Sequence, residues 1–183
     1  MTSQIAPDLV PGRSCDGCTM CCKLLAIDVL KKPRGEWCGH CDKSRGCKIY
    51  ESRPDPCRGF HCGYLRIAHL DERWKPSKAK FLINYEDAAR RIAIHADPDR
   101  PDAWRKEPYY STIKGWAAAA ARDGGYVMVW QGRNAWIVLP NREKNLGEVR
   151  DDQIILPVET RSVAGAIERD FIVVEPDDPR VVK

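Results

Sequence analysis

Four cysteines fall within eight positions in the stretch SCDGCTMCCK (14–23), at Cys15, Cys18, Cys21 and Cys22. Three chemistries call for thiols at that density: a disulfide framework, a redox or nucleophilic thiol, or ligands converging on a metal ion or an iron–sulfur cluster. Five more follow at Cys38, Cys41, Cys47, Cys57 and Cys62, and no cysteine occurs after Cys62. The odd total of nine argues against full pairing. The first residues, MTSQIAPDLVPGR, carry no basic start followed by an apolar run, and no later stretch is apolar for the length of a membrane span. A cytoplasmic protein without a membrane segment is the expectation. In that reducing setting clustered cysteines read as metal ligands or catalytic groups. A single activated nucleophile would need one or two thiols, not eight.

The spacing sharpens the metal reading. Cys15-x2-Cys18-x2-Cys21 lets one loop wrap three thiolates around a centre with its N–H groups turned toward sulfur. Cys22 is the anomaly. Adjacent side chains diverge, so Cys21 and Cys22 are expected to serve two different centres, or one centre and one structural contact. A Cys-x2-Cys pair some 20 residues after another suits a four-thiolate zinc site, which makes Cys15/Cys18 with Cys38/Cys41 one partition among many. Nine thiols can furnish two four-ligand sites with one left over, or one iron–sulfur cluster plus a zinc.

Charge points the same way. Residues 1–75 hold the whole net charge of +4, while 76–183 balance to zero. That excess is too small to argue for nucleic acid. A thiolate site of about −2 could instead be offset by Lys23, Lys48 and Arg58. Arg53-Pro54 and Arg58-Gly59-Phe60 read as turns between ligands. His40 and His61 lie among the cysteines and could replace a thiolate, although a second-layer hydrogen bond or solvent exposure is the leading expectation, and His69 and His95 are more distant. The DPDRPD run (97–102) lacks the glycine and distal glutamate of a calcium loop and reads as solvated.

Cys-x2-Cys-x2-Cys-Cys, then Cys-x8-Cys-Lys-Ile-Tyr-Glu-x-Arg-Pro, then Cys-Arg-x-Phe-x-Cys, resembles the YkgJ-like cysteine-cluster family of zinc- or iron-chelating domains from Cys15 to Cys62. The resemblance implies a metal-binding protein with Cys15, Cys18, Cys21, Cys22, Cys38, Cys47, Cys57 and Cys62 as ligands. Cys41 departs from the pattern, an apolar residue being usual there, and is taken as the spare or a substitute ligand. The implied cofactor is zinc or an iron–sulfur cluster, in up to two metal centres, with the metal mainly structural. A flagellin lysine N-methylase shares the cysteine motif. The alternative is therefore an iron–sulfur enzyme or accessory factor in protein modification or electron transfer, although no glycine-rich loop after a strand offers a place for S-adenosylmethionine. Expected partners are the metal ion and a protein partner or substrate, with neither nucleic acid nor membrane.

Two regions must position these groups. Residues 10–75, rich in Gly, Pro and charge, form a cysteine-cluster module with LLAIDVL (24–30) as a strand and CKIYESR (47–53) as a helical turn ended by Pro54. Residues 76–183 read as a packed domain. FLINY (81–85) with RIAIHA (91–96), and YVMVW (126–130) with AWIVL (135–139), are expected hairpins, the second closed by a type II′ turn at Gly132. PYYSTIKGWAAAAARDGG places Tyr109, Ile113, Trp116, Ala117, Ala120 and Ala121 on one helical face, stopped by Gly124 and Gly125. QIILPV (153–158) and DFIVVE (170–175) read as further strands joined by a short helix over 161–169. Trp74, Trp104, Trp116, Trp130 and Trp136 are expected in core or edge packing rather than in an aromatic pocket. The fold class is α+β: a cysteine-rich, metal-bound N-terminal module packed on a small antiparallel sheet with one main helix, as one compact unit.

Overall fold

The computed structural model describes residues 9–161, 165 and 167–181. Its first part is sparse in regular structure: α1 (Met20–Leu24), a two-stranded ribbon of β1 (Cys41–Asp42) and β2 (Gly46–Cys47), then α2 (Asp55–Arg58) and α3 (Gly63–Arg66). The expected strand over 24–30 is absent. Leu24 closes α1, residues 28–30 form a 3₁₀ turn, and Ile27 meets Lys32 in a single bridge after Lys31 turns left-handed at φ 49°. Met20 and Leu24, four apart on α1, are drawn to the same buried face. That demand outweighs the strand propensity of the run. The helical turn expected over 47–53 falls instead at α2. Cys47 pairs with Cys41 across the ribbon, and the helix starts where Pro54 and Pro56 supply extended and first-turn φ values with no N–H to satisfy.

After α4 (Pro76–Ala79) the chain builds a five-stranded sheet from β3 (Phe81–Glu86), β4 (Arg91–Ala96), β5 (Tyr126–Gln131), β6 (Asn134–Val138) and β7 (Glu143–Glu148), in that spatial order. Both expected hairpins are present, β3–β4 and β5–β6. Gly132 has φ +62° and Arg133 is not left-handed, as a type II′ turn requires. One pairing differs from the antiparallel expectation: β4 and β5 run parallel. The main helix α5 (Tyr109–Arg122) crosses between them, and a connection of that length permits parallel strands where a hairpin cannot. Gly125 ends the crossover because a Cβ there would stand 2.5 Å from Arg90 O.

The sheet is covered on both faces, which explains why β5 is buried along nearly its whole length. On one face Ile113 and Ala117 of α5 meet Ile94, Val127, Val129 and Val138. The same core runs on into the first part of the chain through Met20, Leu24, Leu65, Leu70 and Trp74. On the other face Tyr126, Met128, Trp130 and Ile137 pack against Phe171. Phe171 belongs to a separate antiparallel ribbon, β8 (Ile154–Arg161) with β9 (Ile167–Val174). Of the short helix expected over 161–169, Arg161 and Ile167–Arg169 are strand residues, and 162–164 and 166 lie outside the described residues. Trp74, Trp104 and Trp130 are buried, with Trp116 and Trp136 packed at the core margin.

Candidate metal centre

Arg13 fixes the entry of the chain: its guanidinium donates to Tyr64 O (2.5 Å), Ile67 O (2.9 Å), Ala68 O (2.8 Å) and Leu70 O. The loop that follows turns at Gly17 (φ +68°), with Cys18 N–H on Cys15 O at 2.8 Å. Cys21 and Cys22 then ride on α1, and Cys62 caps the start of α3. Cys38 N–H donates to Cys22 O and Cys41 N–H to Cys38 O, both at 2.9 Å. The β1–β2 turn sets Cys41 across from Cys47, held by Asp42 Oδ1 accepting from Ser44 N–H (2.9 Å) and Arg45 N–H (3.0 Å). Cys57 sits on α2. All nine cysteines are free thiols.

Electrostatics sort the thiols into two neighbourhoods. Burial raises Cys15, and the charge of Cys18 raises it further. Cys62 is raised by burial and, beyond that, by the charges of Cys15 and Cys18. Cys57 is raised by burial and then by Cys22, Cys38 and Cys47. Cys41 is pushed up to about 12 by burial, the charge of Cys22, and its neighbours Cys38 and Cys47. One set is thus Cys15, Cys18, Cys21 and Cys62, and the other Cys22, Cys38, Cys41, Cys47 and Cys57. The Cys21–Cys22 dipeptide joins them. Cys21 donates toward Cys22, which holds Cys21 protonated and lowers Cys22 to about 6. Burial works against that lowering, while Cys41, Lys32 and Arg53 favour the Cys22 thiolate. Of the two cysteine pairs in the expected Cys15/Cys18 with Cys38/Cys41 partition, Cys15 is raised, beyond burial, by Cys18, and Cys41 by Cys38. The Cys21 and Cys22 side chains, expected to diverge, instead meet each other.

The charge partners also differ from expectation. Lys23 is turned away from the thiols, its Nζ donating to Asp97 (2.5 Å) and Asp99 (2.7 Å). Asp97 is consequently buried, so the 97–102 loop is not wholly solvated. Lys48 and Arg58 are exposed, and Arg58 Nη2 donates to Arg53 O at 3.0 Å. The buried cation beside the thiols is Lys32. Its Nζ donates to Lys23 O (2.7 Å) and Leu25 O, and burial lowers it to about 8 against the opposing charges of Cys38, Cys22 and Cys21. Nothing in the local sequence distinguishes Lys32 from exposed Lys31. Arg53 lies over Tyr50 (3.6 Å to the ring centroid), and its charge opposes the raising of Cys15 and adds to the lowering of Cys22. His40 is exposed, and His61 Nδ1 lies 3.2 Å from Gly59 O.

The donor set fits zinc or an iron–sulfur cluster in kind and number, being soft thiol in neighbourhoods of four and five. In position it is looser: among the described residues no three His, Cys, Asp or Glu side chains are gathered closely enough to hold a metal ion. No described helix is long and apolar enough to cross a membrane. Searches with protein-family models, among curated proteins and among solved structures return no match to this chain, so the centre rests on its own residues.

Proposed function

We propose that the protein binds metal through its cysteine thiolates, as a YkgJ-like cysteine cluster would, and that the metal chiefly holds residues 10–75 in shape. One centre would draw on Cys15, Cys18, Cys21 and Cys62. The other would draw on Cys22, Cys38, Cys47 and Cys57, with Cys41 as the spare beside it. The observation that carries the reading is the presence of nine free thiols within residues 15–62, several of them close enough to raise one another's pKa. Thiolates forced together repel. A bound dication removes that repulsion, and binding then contributes directly to folding.

The same arrangement admits the second reading, an iron–sulfur enzyme or accessory in protein modification or electron transfer, because thiolates alone do not choose between zinc and iron. Metal analysis of protein purified without air separates the two. The structural reading expects a colourless sample with about two zinc per chain, as two four-thiolate sites require. Brown colour with iron and acid-labile sulfide would move the assignment to a cluster. A folded, fully reduced protein containing neither metal would end both readings.

A further inference from the structure

A cavity of about 400 Å³ opens between the 61–69 segment and β3. Its size lies in the range of roughly 300–1,000 Å³ usual for small-ligand sites. Backbone geometry gives it a polar wall. Asp97 N–H donates to Lys80 O, and the β3–β4 register continues without a break from Phe81↔Ala96 to Glu86↔Arg91. Leu82, Asn84 and Glu86 therefore turn their peptide groups to β4, and Ile83 and Tyr85 turn theirs outward. Gly63 covers Ile83, a Cβ on it standing only 3.3 Å from Ile83 O. Tyr85, 53% exposed, is left facing the opening.

The side chains add a charge preference and an apolar floor. Arg66, His61 and His69 line the cavity against one acid, Asp87, and Arg66 is a permanent cation on an exposed position. Trp116, Ile67 and Ile92 supply flat and branched apolar surface below them. A cationic ligand would meet Arg66 at close range, and a purely apolar one would leave Arg66 and the Tyr85 peptide without partners. A small molecule with a carboxylate on a flat apolar body satisfies both halves.

We propose that this cavity is a binding site for a small aromatic or similarly flat carboxylate, with Arg66 as its anion partner. The site stands on the cavity and not on the metal, so metal content and ligand binding are measured separately on the same full-length sample. Benzoate is titrated into ¹⁵N-labelled protein, with benzylamine, benzyl alcohol and inorganic phosphate as probes of charge and shape. The expected result is saturable shifts at the Gly63, Arg66 and Tyr85 amides and the Trp116 indole with benzoate, and weaker binding of the other three. Arg66→Gln should weaken benzoate about tenfold or more, as loss of a charge-assisted contact does. Asp87→Asn, which removes the one acid, should tighten it. Benzylamine binding as well as benzoate, no saturation with benzoate, or an unchanged affinity in Arg66→Gln would each overturn the assignment.

Discussion

His95 on β4 offers a measurement in which the sign and size of an acid effect follow from geometry. It is 5% exposed, Nε2 lies 2.9 Å from Asn84 Oδ1, and Nδ1 is buried without a partner. Burial, then the charges of Arg34, Arg91 and Lys32, lower it from 6.5 to about 3. The folded protein thus refuses a proton that the unfolded chain accepts below 6.5. Stability tied to the neutral ring is fully present above 6.5 and is lost as pH falls from there toward 3. Each pH unit in that window costs about 1.4 kcal/mol, so passing from about pH 7 to about pH 5 removes about 2 kcal/mol through this one group. In His95→Gln the amide can still donate to Asn84, and the titration is gone. Urea unfolding followed by tryptophan fluorescence at the two pH values, on wild type and variant with equal metal content, isolates the effect. The variant should lose about 2 kcal/mol less than wild type over the interval. Equal losses would show that His95 takes up its proton in the folded state, and the argument from its burial would fail.

Other substitutions probe the remaining joints. Cys18→Ser and Cys57→Ser should each remove one metal equivalent and loosen residues 10–75, whereas Cys41→Ser should leave the stoichiometry unchanged; metal analysis with circular dichroism reads all three. Lys23→Met leaves Asp97 buried without its cation and should destabilise by about 3 kcal/mol, with Lys23→Met/Asp97→Leu recovering most of that in chemical denaturation. Gly125→Ala drives a Cβ to within 2.5 Å of Arg90 O and should lower the unfolding free energy by about 2 kcal/mol in the same assay, since backbone on both sides must shift.

The sequence disclosed the elements whose signals are local. Two apolar runs around a short polar turn marked β3 and β4, Gly132 marked the turn between β5 and β6, and the spacing of Ile113 and Ala117 marked the buried face of α5. Signals failed where a distant partner decides. The parallel β4–β5 pairing depends on where α5 returns the chain, and 24–30 reads as a strand until Met20 and Leu24 are seen to share one core face. At the thiols, residue type and clustering were legible, but which cysteines come near one another was not. That depends on Cys38 folding back onto the Cys22 carbonyl and on Cys62 returning at the cap of α3, contacts that spacing does not encode. The pairing of Lys23 with Asp97 spans 74 residues and has no local trace.

The seating of α1 against β3, through Met20, Leu24 and Ile83 in one core, fixes an order of events on the ribosome. Every cysteine is translated and emerges before the strand that receives the dipeptide-bearing helix. The nascent chain therefore carries its nine thiols before the strand that packs against their helix has been made.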